Sequence, residues 1–132
     1  MKKVINPEGM WKPDASKGWA FSQGIEASGK RMIFVSGQGA FSPGGEVLAK
    51  GDVRSQTEHA IKSIRKVLRQ AGSDLDDIVK VTVYLKRVED RPTVAEVRRK
   101  YFKRDFPASS LVGVELASED MLVEIEAIAV CD

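Results

Sequence analysis

An α+β fold, with two helices on one face of a single mixed sheet, is what the residue order implies, and three observations carry it. One stretch, Val53 to Ala71, has helical period. Two others, Ile78 to Lys86 and Met121 to Val130, alternate with period two. The elements run strand, strand, helix, strand, helix, strand, strand within 132 residues, which leaves room for one core and one layer of helices.

The first residues, 1–17, mix Pro7, Gly9 and Pro13 with polar side chains and read as an extended lead-in to one domain that spans 1–132. Trp19 to Glu26 alternates, with Trp19, Phe21, Gln23 and Ile25 on one face of an expected strand. Ala27-Ser28-Gly29-Lys30 turns the chain into a short apolar run, Met32 to Ser36. Ser42-Pro43-Gly44-Gly45 is a second turn, because proline presets φ and glycine accepts positive φ.

The first helix places Val53, Thr57, Ala60, Ile61, Ile64, Val67, Leu68 and Ala71 on one stripe. Asp52 stands at its N-cap, Gly72 just past its end, and Glu58 faces Lys62 one turn on. The next strand points Val79, Val81, Val83 and Leu85 one way and Lys80, Thr82, Tyr84 and Lys86 the other. A second helix is expected from Pro92 to Arg104, with Val94, Val97 and Tyr101 inward and a basic end that suits the helix dipole. Pro107 stops it. Strands near Ser110 to Leu116 and at Met121 to Val130 complete the chain.

Composition bounds the function. Hydrophobic residues make up 42% and charged residues 30%, the balance of a globular protein. Lys plus Arg number 21 against 19 acidic residues; a net charge of +2 disfavours a nucleic-acid partner. No apolar run is long enough for a membrane span and no export signal opens the chain, so a cytoplasmic protein is expected. With one cysteine, Cys131, and one histidine, His59, neither a disulfide nor a Cys/His metal centre is expected.

The last strand holds the most informative residues. Val123, Ile125, Ala127 and Ala129 form one apolar face; Glu124 and Glu126 share the other with Leu122, Ile128 and Val130. Carboxylates among aliphatics either pair with cations, Lys80 and Lys86 being the candidates, or sit in a cleft where desolvation raises a pKa. The pairing is favoured for Glu126, and Glu124 stays open between the two. His59 projects away from the apolar stripe of its helix and is read as solvent-facing. Gly37-Gln38-Gly39 lacks the helix a phosphate loop needs and is read as a strand end.

The ordered segments Ser36-Gly37-Gln38, Ala71 to Lys80, Phe106-Pro107-Ala108 and Val123-Glu124-Ile125-Glu126-Ala127-Ile128-Ala129 resemble the Rid (YjgF) family of imine and enamine deaminases, older label L-PSP endoribonuclease. The likeness runs collinearly over roughly residues 18–130. It implies a chorismate-mutase-like fold, a homotrimer, ligand clefts between subunits, and no metal or organic cofactor. It also implies hydrolysis of a small imine or enamine, with Glu124 positioning the attacking water. Phe21, Ser36, Gly37, Ala95, Ser109 and Leu111 would line the cleft.

Four of those positions depart from the active deaminases. Ser109 stands where they carry an arginine that holds the substrate carboxylate, Leu111 replaces a frequent cysteine, Phe21 a tyrosine, and Ala95 an asparagine. Such a cleft is expected to favour larger or uncharged imines, unless another arginine, Arg98 or Arg31, reaches it. The alternatives are a non-catalytic trimer that binds a small metabolite and, third, a ribonuclease; the substrate itself is not readable from these residues.

Overall fold

The computed structural model describes residues 1–132. Strands β1 (Lys2–Ile5) and β2 (Gly24–Ala27) form a small antiparallel pair, with Lys2 opposite Ala27. The main sheet contains β3 (Arg31–Gln38), β4 (Ile78–Leu85), β5 (Ala108–Gly113) and β6 (Val123–Cys131) in the order β3-β6-β4-β5. Helix α1 (Val53–Gln70) joins β3 to β4, and α2 (Arg91–Tyr101) joins β4 to β5. Because β6 runs antiparallel to both β3 and β4, the final strand fills the gap left between them, and β5 lies parallel to β4 at the edge.

The expected α+β architecture is therefore observed, with local corrections. The lead-in contains β1, a strand whose four residues alternate between half-buried and exposed and so carry no apolar signal. The strand expected over Trp19 to Glu26 begins only at Gly24; Trp19 and Phe21 instead belong to an aromatic cluster with Trp11, and Ser22 makes a lone parallel bridge to Ala108. The second helix ends at Tyr101, three residues before Arg104. A bulge between Ile78 and Lys80 turns Ile78 inward and leaves Val79 half-buried.

Helix α1 forms for reasons local to its sequence. The Asp52 carboxylate accepts from the Ser55 amide at 3.1 Å and from its hydroxyl at 2.7 Å, which caps the first turn. At the other end Gly72, at φ +77°, lets its own amide reach the Arg69 carbonyl and the Ser73 amide reach that of Leu68. Ala60, Ile61, Ile64 and Leu68 pack on Val81, Val83, Ile125, Ala127 and Ala129 across the sheet face. Val67 lies off that stripe and is exposed, whereas Gln56 is buried. The Gln56 amide donates to the carbonyls of Leu48, Ala49 and Asp120, and its oxygen accepts from the Leu122 amide at 2.8 Å. One side chain thus ties the start of α1 to the entry of β6. Helices α1 and α2 meet through Glu58, which accepts from Lys100 at 3.0 Å and from the Tyr101 hydroxyl at 3.2 Å, and through Arg54–Glu96 at 2.8 Å. Lys62 is farther from Glu58, at 4.0 Å. No helix is long and apolar enough to cross a membrane.

Candidate active site

The residues singled out in the sequence fall into two groups on opposite faces of the main sheet. Strand periodicity decides which goes where. On β6, Val123, Ile125, Ala127 and Ala129 are buried under the helices, so Glu124, Glu126 and Ile128 project from the other face. On β5, Ser109 pairs in register with Val81 and Leu111 with Val83, which puts both on the helix side.

The first group contains Ser36, Gly37 and Glu124. Glu124 is half-buried and lies directly across from Tyr84 on β4. Its carboxyl group lies against the β3 backbone at Gly37: a Cβ there would stand 2.7 Å from the Glu124 carboxyl carbon and 3.0 Å from Oε2. The missing side chain at Gly37 leaves room for the carboxyl group in this position, and any larger residue would displace it. Alongside, Phe34, Ser36, Lys80, Thr82, Glu126 and Ile128 line an open groove of about 260 Å³.

The expected pairing of Glu126 with a lysine does not occur. Glu126 accepts from the Tyr84 hydroxyl at 2.6 Å, while Lys80 donates to the Ser110 hydroxyl and Lys86 to the Glu119 carbonyl. That hydrogen bond, then loss of hydration and the charges of Glu126 and Glu124, pushes the Tyr84 phenol above its ordinary pKa. The same face carries bare apolar side chains: Met32 is 60% and Phe34 68% exposed.

The second group contains Phe21, Ala95, Ser109 and Leu111, which share a cavity of about 190 Å³ between α2, the edge strand β5 and the loop before β2. Trp11 and Trp19 complete its aromatic wall, edge to face with centroids 5.0 Å apart, and Trp11 meets Phe21 at 5.7 Å. Arg91 lies over the Trp19 ring, 3.9 Å from its centroid. Arg98 also borders the cavity. Arg31, the other arginine considered, is elsewhere: it donates to the Ala71 and Asp132 carbonyls beside the end of α1. His59 is exposed on α1 among Arg54, Ser55, Glu58 and Lys62, on the opposite side of the sheet from Glu124.

Trp11, Trp19, Tyr84 and Arg91 were not assigned to the site from sequence, and Arg98 entered only as an arginine that could reach the cleft. Trp11 sits in a stretch with no periodicity to orient it. Arg98 belongs to the basic end of α2, yet it lies four residues after Val94 and three before Tyr101, on the inward stripe. That spacing was the available signal.

Comparison with known proteins accords with this arrangement. The family model described as endoribonuclease L-PSP matches residues 13–131. A RutC family protein of Pyrococcus horikoshii is 39% identical over 129 residues, 98% of each chain. Human 2-iminobutanoate/2-iminopropanoate deaminase is 36% identical over 100 residues, 76% of this chain and 73% of that one. Among solved structures, the Rid-family protein YyfB of Yersinia pestis aligns with a TM-score of 0.86 at 31% identity over 98% of both chains. The yjgF gene product of E. coli aligns at 0.67 with 36% identity, over 97% of this chain and 98% of that one. With its mixed sheet, its two helices and a matched span that takes in both groups of site residues, the chain belongs to the Rid (YjgF, L-PSP endoribonuclease) family.

Proposed function

We propose that the chain is a hydrolytic imine or enamine deaminase, a cytoplasmic homotrimer that converts a small C=N compound and water into a carbonyl compound and ammonia. The observation that carries this reading is Glu124, a half-buried carboxylate laid against the Gly37 backbone beside an open groove. Water adds to the imine carbon while Glu124 accepts one of its protons. The proton passes to the amino nitrogen of the carbinolamine, and the C–N bond breaks as the carbonyl forms and ammonia leaves. Each proton taken from water is returned to nitrogen, so the steps balance with no redox partner.

The two half-sites lie on opposite faces of one sheet, so a complete site needs Glu124 from one copy beside the Ser109 cavity of the next. Exposed Met32 and Phe34 on the Glu124 face support burial there by a neighbouring copy. Sedimentation equilibrium should return about three times the 14.5 kDa chain mass, and a monodisperse monomer at micromolar concentration would refute the assembly. The relatives named 2-iminobutanoate/2-iminopropanoate deaminase support the chemistry. Ammonia release from imines generated in situ by an amino-acid oxidase tests it. Glu124→Gln should lower turnover roughly 10²- to 10⁴-fold, and unchanged turnover in a folded Glu124→Gln would remove the mechanism. Ser109, where the active deaminases carry arginine, favours the second reading, a trimer that binds a metabolite without turning it over. No release of ammonia from any imine, with retained binding, would select it.

A further inference from the structure

The Ser109 cavity is lined by two arginines and by no acidic residue. Neither arginine forms a salt bridge; those of the chain involve other residues. Arg91 is occupied by the Trp19 ring. Arg98 is different: it is 9% exposed, and its Nη2 is a buried nitrogen with no hydrogen-bond partner. Burial lowers its pKa to about 10, which leaves it charged at neutral pH. Buried polar groups are almost always satisfied, and a buried cation without a counter-charge is costlier still. A site that tolerates one is a site that awaits an anion.

We propose that Arg98, which lines this cavity from α2 as Ser109 does from β5, is its carboxylate anchor, and that its ligand is a flat, aromatic 2-imino acid or the matching 2-keto acid. The guanidinium fork suits a carboxylate bidentately. The walls select the remainder of the ligand. Trp11, Trp19 and Phe21 present ring faces and edges, and Leu111 and Ala95 add apolar surface with no donor or acceptor. A two- or three-carbon imino acid would satisfy Arg98 and leave those walls wet; an aryl group covers them. This assignment rests on the deaminase reading for the imine, but the anchoring of the acid is independent of turnover. It replaces the expectation, drawn from Ser109 alone, of uncharged ligands.

The test measures binding, by isothermal titration on the intact protein, of three stable probes: 3-phenylpropanoate, its amide 3-phenylpropanamide, and propanoate. The acid should bind roughly 10- to 100-fold more tightly than the amide, and more tightly than propanoate. Arg98→Met keeps the aliphatic volume and should erase the difference between acid and amide; Arg98→Lys should restore part of it; His59→Ala should leave it intact. Equal affinity of the wild type for acid and amide overturns the anchor even if Arg98→Met does not fold. An acid preference that survives in folded Arg98→Met overturns it as well, and tighter binding of propanoate than of 3-phenylpropanoate overturns the aromatic assignment. Arg98-dependent binding without ammonia release from phenylpyruvate imine would sustain the anchor and fail the deaminase reading, so the two can be told apart.

Discussion

Replacing Gln56 with leucine should destabilise the protein by about 2–4 kcal/mol. The side chain is 1% exposed and uses its full capacity: three carbonyls accept from its amide nitrogen, at 2.9 Å from Asp120 and 3.3 Å from Leu48 and Ala49, and its oxygen accepts the Leu122 amide at 2.8 Å. The Asp120 bond contributes roughly 1 kcal/mol, and losing the oxygen strands the buried Leu122 N–H, which costs about 1–3 kcal/mol. The two 3.3 Å contacts are too long to add much. Leucine fills similar space, so the loss comes from polar groups and not from a cavity. With a urea m-value of about 2 kcal/mol/M, the midpoint should fall by about 1–2 M at fixed protein concentration. Gln70→Leu, on the exposed end of the same helix, should move it little. A Gln56→Leu midpoint within about 0.3 M of wild type, with m unchanged, would show that water satisfies the Leu122 amide and that Gln56 is no tie. The same substitution frees the entry of β6 two residues before Glu124, so turnover should fall along with stability.

Two glycines separate the site from the scaffold. Gly37→Ala meets only the flexible Glu124 carboxyl group, at 2.7 Å, and should cut ammonia release while the melting temperature stays near wild type. Gly29→Ala meets the Cys131 backbone carbonyl at 2.6 Å and should lower the melting temperature first; a reversed pattern would mean that Gly37 does not position Glu124. Phe34→Lys puts a charge on the bare sheet face and should yield monomers by sedimentation. The Lys100 hydrogen bond, despite some loss of hydration, holds the Glu58 pKa below its ordinary 4.5. Its stabilisation is therefore complete above that value and lost as pH falls through the depressed one. Glu58→Gln should flatten acid unfolding measured by circular dichroism in that range, and an unchanged acid limb would deny the Glu58–Lys100 link a role.

The fold was legible where periodicity was strong and the caps agreed with it. Val53 to Ala71 carried a helical stripe between Asp52 and Gly72, and Val123 to Ala129 carried a two-residue alternation with carboxylates set among aliphatics. That final strand lies inside the sheet, between β3 and β4. What escaped was structure without period. Strand β1 is two lysines followed by two aliphatics, with no alternation in its four residues, and the Trp11–Trp19–Phe21 cluster is assembled by irregular chain that has no period to read. At the site, Ser109 was visible and Arg98 was named as an arginine that could reach the cleft, but the burial of Arg98 was not, because it belongs to a run of cations whose exposed members disguise the buried one. Gly37 reads from sequence as the end of a strand; only the close approach of Glu124 shows that a side chain there would displace the carboxyl group.

The division of the site between two faces of one sheet has a genetic consequence. Where Glu124 of one copy serves the cavity of its neighbour, each copy owns two incomplete sites and no whole one. Two defective alleles, one lacking the carboxylate and one lacking the guanidinium, are then each inactive alone yet complementary in the same cell. Random co-assembly in equal amounts pairs an intact carboxylate face with an intact cavity at roughly a quarter of the subunit boundaries in a closed ring. The two lesions are recessive to each other, and a population can carry both while retaining part of the activity.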